Sequence, residues 1–204
     1  MTRCETLQQG GRKWRLPSRI ELASLLDFGG LLVLPDLAPD SHWSSSKASG
    51  PNRAWSVTFS TPYQFFFTED LSFAARVICV TGDSIEIIHE VGEDTIRDEV
   101  TDLVWQKTES ASGMGWNDAL NHCEGMSLAG SSDWRLPSAK EALAFSRDDQ
   151  QWPATLSQNG SYWTSSPGPF SNRAHDIYMP SGENGDGDPS DLNLVRCVRG
   201  PEAQ

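Results

Sequence analysis

The pentapeptide Trp-Arg-Leu-Pro-Ser occurs twice, at Trp14 to Ser18 and at Trp134 to Ser138, 120 residues apart. The same shift lays His42-Trp43-Ser44-Ser45-Ser46 on Tyr162-Trp163-Thr164-Ser165-Ser166, and Asn52-Arg53-Ala54 on Asn172-Arg173-Ala174. Cysteines keep the register: Cys4 falls on Cys123 at a shift of 119, and Cys79 on Cys197 at a shift of 118. A period this long implies paired globular units, because solenoid repeats are far shorter. The sequence therefore reads as a tandem duplication, residues 1–80 forming the first unit and residues 81–204 the second. Units of about 100 residues are large enough to bury a core of their own.

The two units are unequal. A strand and a helix are expected ahead of Cys123, whereas only three residues precede Cys4. The first unit thus lacks roughly 25 residues that its twin has, as terminal repeats often depart from the consensus. Either the chain begins inside a longer protein, whose upstream part carries a signal peptide, or the first unit is a degenerate relic; the former is the expectation.

Charge is distributed as unevenly. The net charge is −12. Residues 1–80 carry 8 basic and 7 acidic side chains, and residues 81–204 carry 8 basic and 21 acidic ones. A field of that sign repels nucleic acid, anionic lipid and sulfated polysaccharide. No apolar run approaches the roughly 20 residues of a transmembrane helix. The longest, Leu31 to Leu34, reads as a strand or core segment, and no basic stretch followed by an apolar one opens the chain.

In both units Ser-x-x-Glu follows the proline, Ser18 to Glu21 and Ser138 to Glu141. This is the capping-box signature of a helix start. Ile20, Leu22, Leu25 and Leu26 give the first helix its apolar face, and Ala142, Leu143 and Phe145 the second. Ala54 to Phe59 and Ala174 to Met179 alternate as half-buried strands, and each unit closes on a cysteine-bearing strand, Ala75 to Val80 and Leu192 to Val198. Ser84 to Ile88 and Thr95 to Trp105 read as strands, and Trp116 to Met126 as a helix. The stretch Asp83 to Asp102, with eight acids and Arg97 as its one Lys or Arg, reads as solvated edges and turns. Tryptophan and proline of the pentapeptide read as a packing and helix-start device, with Arg15 and Arg135 pairing a carboxylate or capping carbonyls.

Four cysteines at matching positions look like a disulfide framework, which belongs to an oxidising compartment. If Cys4 pairs with Cys79 and Cys123 with Cys197, each bond closes a loop of about 75 residues, worth roughly 4.5 kcal/mol in the ideal case. Free buried thiols are the alternative. A zinc site does not fit, since close Cys-x-x-Cys pairs are absent. Neither Trp-Ser-Ser segment sits in a Gly-x-Ser-x-Gly elbow, which argues against a serine hydrolase. Ser181 to Asn193 is acidic and glycine-rich, whereas its counterpart Ser60 to Phe73 is aromatic. It reads either as a flexible acidic loop or as a calcium loop using Glu183, Asp186 and Asp188, although the spacing is not that of an EF-hand.

The ordered set Asp102-Leu103-Val104-Trp105, Ala119-Leu120 with Cys123, Asp133 to Ser138 with Glu141, Tyr162 to Ser166 and Val195 to Arg199 resembles the bacterial Lcl C-terminal domain family. The resemblance spans residues 95–200 as one nearly complete copy and residues 4–80 as a truncated one. Two departures stand out: Glu99-Val100-Thr101-Asp102 replaces the family's usual turn, and Ile78 replaces the arginine beside the last cysteine. The resemblance implies an α+β fold of tandem C-type-lectin-like domains, each with short helices packed on a small antiparallel sheet under long loops. It also implies a periplasmic, secreted or cell-surface location and a non-catalytic binding or adhesion role, with a glycan or a protein as partner.

Candidate ligand contacts then lie between Trp163 and Cys197: His175, Asp176, Glu183, Asn184, Asp186, Asp188 and Asp191. Asn172 and Arg173 are weaker candidates because they recur at Asn52 and Arg53. No cofactor is implied beyond calcium. Two alternatives stand beside this reading. One is an enzyme of the formylglycine-generating type, which needs a reactive cysteine pair; the other is a hypervariable, retroelement-diversified receptor.

Overall fold

A computed structural model of the chain describes residues 2–26, 36–48, 50–60, 65–84, 89–145, 160–179 and 182–201. The expected segments Leu31 to Leu34 and Ile85 to Ile88 lie outside these residues. The chain divides into two compact units, Met1–Ile85 and Glu86–Gln204. Both are α+β, with small antiparallel sheets and short helices.

The first unit runs α1 (Thr2–Glu5), β1 (Trp14–Arg15), α2 (Arg19–Ala23), β2 (Ser41–Lys47), β3 (Arg53–Thr58), β4 (Phe65–Asp70) and β5 (Val80–Thr81). Strands β2, β3 and β4 form one antiparallel sheet, and β1 pairs with β5. Asn52 turns the β2–β3 hairpin in the left-handed region, at φ 62°, which asparagine tolerates better than most residues. Strand β3 is buried on both faces, with Ala54, Trp55, Ser56 and Val57 all inaccessible. Arg19, 1% exposed, lies over the Trp55 ring at 4.5 Å, so this core contains a guanidinium that the apolar pattern did not announce.

The second unit runs β6 (His89–Val91), β7 (Thr95–Asp98), β8 (Val104–Gln106), α3 (Trp116–Glu124), α4 (Ala139–Phe145), β9 (Gly160–Pro167), β10 (Ala174–Met179), β11 (Glu183–Gly187) and β12 (Val198–Arg199). Its sheets are ordered β12-β8-β7-β6 and β11-β10-β9, antiparallel throughout. Ala119, Cys123, Trp134, Leu136, Trp163, Ala174, Val195 and Cys197 form a buried cluster, with Met114, Trp116 and Leu120 packed against it.

Each pentapeptide is the start of a helix wired the same way. The Ser18 side chain accepts from the Glu21 amide, and the Glu21 carboxylate accepts from the Ser18 amide at 2.8 Å. Both Glu21 oxygens also take the Arg15 guanidinium, each at 2.6 Å. In the second unit Arg135 donates to Glu141 at 2.8 and 2.7 Å, and Glu141 accepts from the Ser138 amide at 2.8 Å. The Trp-Ser-Ser segments complete the arrangement. Ser46 Oγ accepts from the Arg19 amide at 2.8 Å, and Ser166 Oγ from the Ala139 amide at 3.0 Å. The Ser45 and Ser165 amides donate to the carbonyls of Pro17 and Pro137.

Several expectations change. Helix α2 ends at Ala23, so Leu25 and Leu26 lie beyond it, and the strand expected over Thr95 to Trp105 is two, β7 and β8. The late strands shorten to β5 and β12, because the chain crosses from one sheet to another there: Leu194 bridges Tyr162 of β9, and four residues on Val198 pairs Trp105 of β8. The helix expected to reach Met126 ends at Glu124, with Gly125 as its C-cap. Asp98 is no solvated edge residue; at 1% exposure its carboxylate accepts from Val100 N, Thr101 N and Thr101 Oγ1 and closes the turn into β8. Trp134 fills core as expected, but Trp14 is only half-buried and donates to the Gln9 carbonyl.

Burial alone pushes the Glu21 carboxyl up, but the bonds from Arg15 and Ser18 outweigh it and hold the group below its ordinary 4.5. Its stabilising effect is therefore full above pH 4.5 and is lost as pH falls through the lowered value. Glu141 is still more enclosed, its side chain 2% exposed against 16% for Glu21. Glu141→Ala strands both Arg135 and the first turn of α4, and is expected to lower stability in urea unfolding by about 3–5 kcal/mol. A loss below about 1 kcal/mol would place the pair among ordinary surface ion pairs.

Candidate functional site

The segment expected to be an acidic, glycine-rich loop contains strand β11, hydrogen-bonded to β10 from Tyr178↔Glu183 to Ala174↔Gly187. Its glycines serve close approach. A Cβ on Gly187 would stand 2.8 Å from Cη2 of Trp163, and one on Gly185 would stand 3.2 Å from the Asp176 carboxylate. A side chain at Gly187 would force the Trp163 ring or the strand to shift, and one at Gly185 would make the Asp176 carboxylate give way, so the spacing of the glycines by two is a strand signal.

Cross-strand register sorts the candidates onto two faces. Ser161, Tyr178 and Glu183 form one row across β9, β10 and β11, and Trp163, Asp176 and Gly185 form the next row on the same face. His175 and Asp186 pair on the opposite face, as do Ile177 and Asn184. Glu183 and Asp186 therefore point away from each other, because side chains alternate along a strand. Asp188 lies beyond the strand, in a turn where its carboxylate accepts from the amide and hydroxyl of Ser190 at 2.9 and 2.7 Å. Those bonds hold the Asp188 carboxyl below its ordinary 3.8. Asp191 Oδ2 accepts from Asp188 N at 2.9 Å, so both acids are engaged in building this turn. The neighbouring Pro189 carbonyl accepts from the Trp116 amide and fixes the start of α3. The calcium set Glu183, Asp186 and Asp188 is thus not brought together. Among the described residues no three His, Cys, Asp or Glu side chains are grouped to hold a metal ion.

His175 is 3% exposed, and its Nδ1 lies 3.2 Å from the Gly185 carbonyl, which can only accept; Nδ1 therefore carries the proton. Burial pushes this imidazole below its ordinary 6.5, against the opposing pull of Gly185 and Asp186. It is a neutral strut between β10 and β11. Asp176 behaves differently. Burial raises its carboxyl above the ordinary 3.8, and Asp186 and Asp191 add to the rise, while the Ser161 hydroxyl donates to the carboxylate and opposes it.

The face that remains carries Tyr178, 42% exposed, with Ser161 and Glu183 in its row and Asp176 in the next. An aromatic surface bordered by a hydroxyl and two carboxyl groups can stack on an apolar ring face and accept hydrogen bonds from hydroxyls. Ser161 and Tyr178 were not among the sequence candidates. The register of two adjacent strands reveals them, and a single strand pattern does not. A depression of about 510 Å³ lies on the β12-β8-β7-β6 sheet, where Arg97 pairs Asp102 and Arg199 lies over Trp134.

All four cysteines are bonded, Cys4 to Cys79 and Cys123 to Cys197. No helix among the described residues is long and apolar enough to cross a membrane. The family model for the Lcl C-terminal domain matches residues 1–81 and 94–199. No curated protein matches the chain.

Because its raised carboxyl is held in the fold against burial and two neighbouring acids, Asp176 opposes folding once ionised, increasingly as pH rises above 3.8. Asp176→Asn is therefore expected to raise the melting temperature at pH 7, and the gain is expected to vanish as pH is brought below 3.8. Calorimetric melting across that pH range checks both signs.

Proposed function

The chain belongs to the Lcl C-terminal domain family, and from that premise we propose that it is a non-catalytic, extracytoplasmic bacterial binding or adhesion module. Its two units are read as copies of one C-type-lectin-like domain. The helix starts wired by Arg15–Glu21 and Arg135–Glu141, and the disulfides spanning 75 and 74 residues, support that reading. Disulfides belong to an oxidising compartment, which favours the periplasm, the exterior or the cell surface.

The observation that carries the binding reading is the face of β9, β10 and β11 on which Tyr178 stands with Ser161, Glu183 and Asp176. Its chemistry suits a neutral, hydroxyl-rich ligand such as an uncharged glycan. Sulfated glycans are disfavoured by the 21 acidic against 8 basic side chains of residues 81–204. The formylglycine-type alternative needs thiols, and the disulfides leave none.

An array of neutral and sulfated oligosaccharides tests this directly. Retention on neutral members is expected, weakened roughly tenfold by Tyr178→Ala, which removes the stacking surface at an exposed position. Retention on no neutral sugar, or retention indifferent to Tyr178→Ala, would overturn the assignment of ligand and face.

A further inference from the structure

The depression on the β12-β8-β7-β6 sheet, about 510 Å³ in volume, lies on the face opposite the buried Ile96, Asp98, Trp105 and Val198. Register lays one row of side chains across it: Arg199 of β12 opposes Val104 of β8, Val104 opposes Arg97 of β7, and Arg97 opposes Glu90 of β6. Directly opposed residues share a face, and all four of these line the depression.

The charges of this row are unequally matched. Arg97 pairs with Asp102 at 2.6 Å, and Asp102 reaches it from a left-handed backbone at φ 59°. Arg199 has no such partner. Its side chain is 31% exposed, its Nε is inaccessible, and its guanidinium donates no hydrogen bond among the described residues. The Asp133 carboxylate stands 4.0 Å off, beyond hydrogen-bond range, and the Trp134 ring lies under the guanidinium at 5.8 Å. A largely buried guanidinium, with its donors in a fixed fork, is costly to leave unmatched. At the far end of the row the exposed Glu90 carboxylate likewise accepts no hydrogen bond among the described residues. The depression thus has an unmatched cation at one end and an unmatched anion at the other, with Val104 and a satisfied ion pair between them.

We propose that this depression binds a short peptide with both termini free, laid across the four strands with its α-carboxylate on the Arg199 fork and its α-ammonium on Glu90. Spacing selects a peptide over a single amino acid. Strands β12 and β6 stand three strand intervals apart, about 14 Å. An amino acid, whose two charges flank one carbon, cannot reach both ends, whereas an extended chain gains about 3.3–3.6 Å per residue, so that about three or four residues span the row. Val104 gives the middle of the peptide an apolar contact, and the Thr95 hydroxyl supplies a donor and an acceptor for its amide groups. An acidic sugar brings a carboxylate but nothing for Glu90. A polyanion meets the 21 acidic against 8 basic side chains of residues 81–204. A neutral ligand with well-separated opposite charges meets neither objection.

The probe is tetra-alanine with free termini, titrated into the nitrogen-15-labelled full chain and followed by the amide resonances of Gly92, Thr95 and Arg199. Saturable shifts at these positions are expected. Amidation of the peptide C-terminus and Arg199→Gln are each expected to weaken binding at least roughly tenfold, and together no further than either alone. N-acetylation of the peptide and Glu90→Gln form a second pair of the same kind. Glu90 is exposed on the edge strand β6, so this second pair decides the matter should Arg199→Gln disturb the fold. Four results each overturn the proposal: no saturation up to about 10 mM peptide; equal binding of the free and the amidated peptide; indifference to N-acetylation, which would make the depression a site for a carboxylate alone; and saturation by free alanine, acetate or sulfate at the concentrations that suffice for the peptide, which would make it a site for an amino acid or a simple anion.

Discussion

A single carboxylate at the third position of each long-loop helix governs the scaffold. Glu21 and Glu141 each receive a backbone amide from the capping serine and a two-pronged guanidinium from the arginine three residues before that serine. The carboxylate thus fixes the direction in which the chain enters the helix, and the proline between arginine and serine limits the remaining freedom. Everything after it inherits that direction. The Trp-Ser-Ser strand is placed by the same helix, since its last serine accepts from the first helical amide and its middle amide donates to the proline carbonyl. Three short sequence elements far apart in each unit are therefore one hydrogen-bonded object.

On that object the two units diverge where the scaffold makes no demand. Strand β11 approaches its neighbour closely because glycines alternate along it, and the carboxylate of Asp176 and the ring of Trp163 occupy the space their absent side chains leave. The acidic side chains of that segment divide three ways. Asp188 and Asp191 tie a turn, Asp186 faces the same side as His175, and Glu183 shares the face of Tyr178 with Asp176 of β10. Charge count was a poor guide to the site because most of the charge is already engaged in local geometry.

Legibility in the sequence followed the range of the interactions. The helix starts were visible, because a capping box is local and its residues lie three apart. Strand β10 was visible from its alternation, with the bounds Ala174–Met179. The cysteine pairing was within reach of the repeat register. Strand β11 was hidden, because glycine and aspartate are poor strand formers and only the contact with Trp163 and Asp176 explains them there. The burial of Arg19 over Trp55 and of Asp98 in its turn was hidden for the same reason, each depending on a partner or a turn geometry that hydrophobic periodicity does not encode. Ser161 and Tyr178 became candidates only once the pairing of β9 with β10 put them side by side.

The disulfides have a mechanical consequence. In the first unit the bond joins Cys4 to Cys79, Cα atoms 5.6 Å apart, so a tensile load on the chain enters and leaves at nearly one point. The load bypasses the β2-β3-β4 sheet, which lies inside the covalent loop. The second unit is built otherwise: β6, β7 and β8 precede Cys123 and stand outside its loop. Under pulling, the short pairing of Val198 with Trp105 and Arg199 with Val104 carries the force, while the sheet holding Tyr178 remains locked. A module built in this way yields at its margin and keeps the sheet that carries Tyr178 intact.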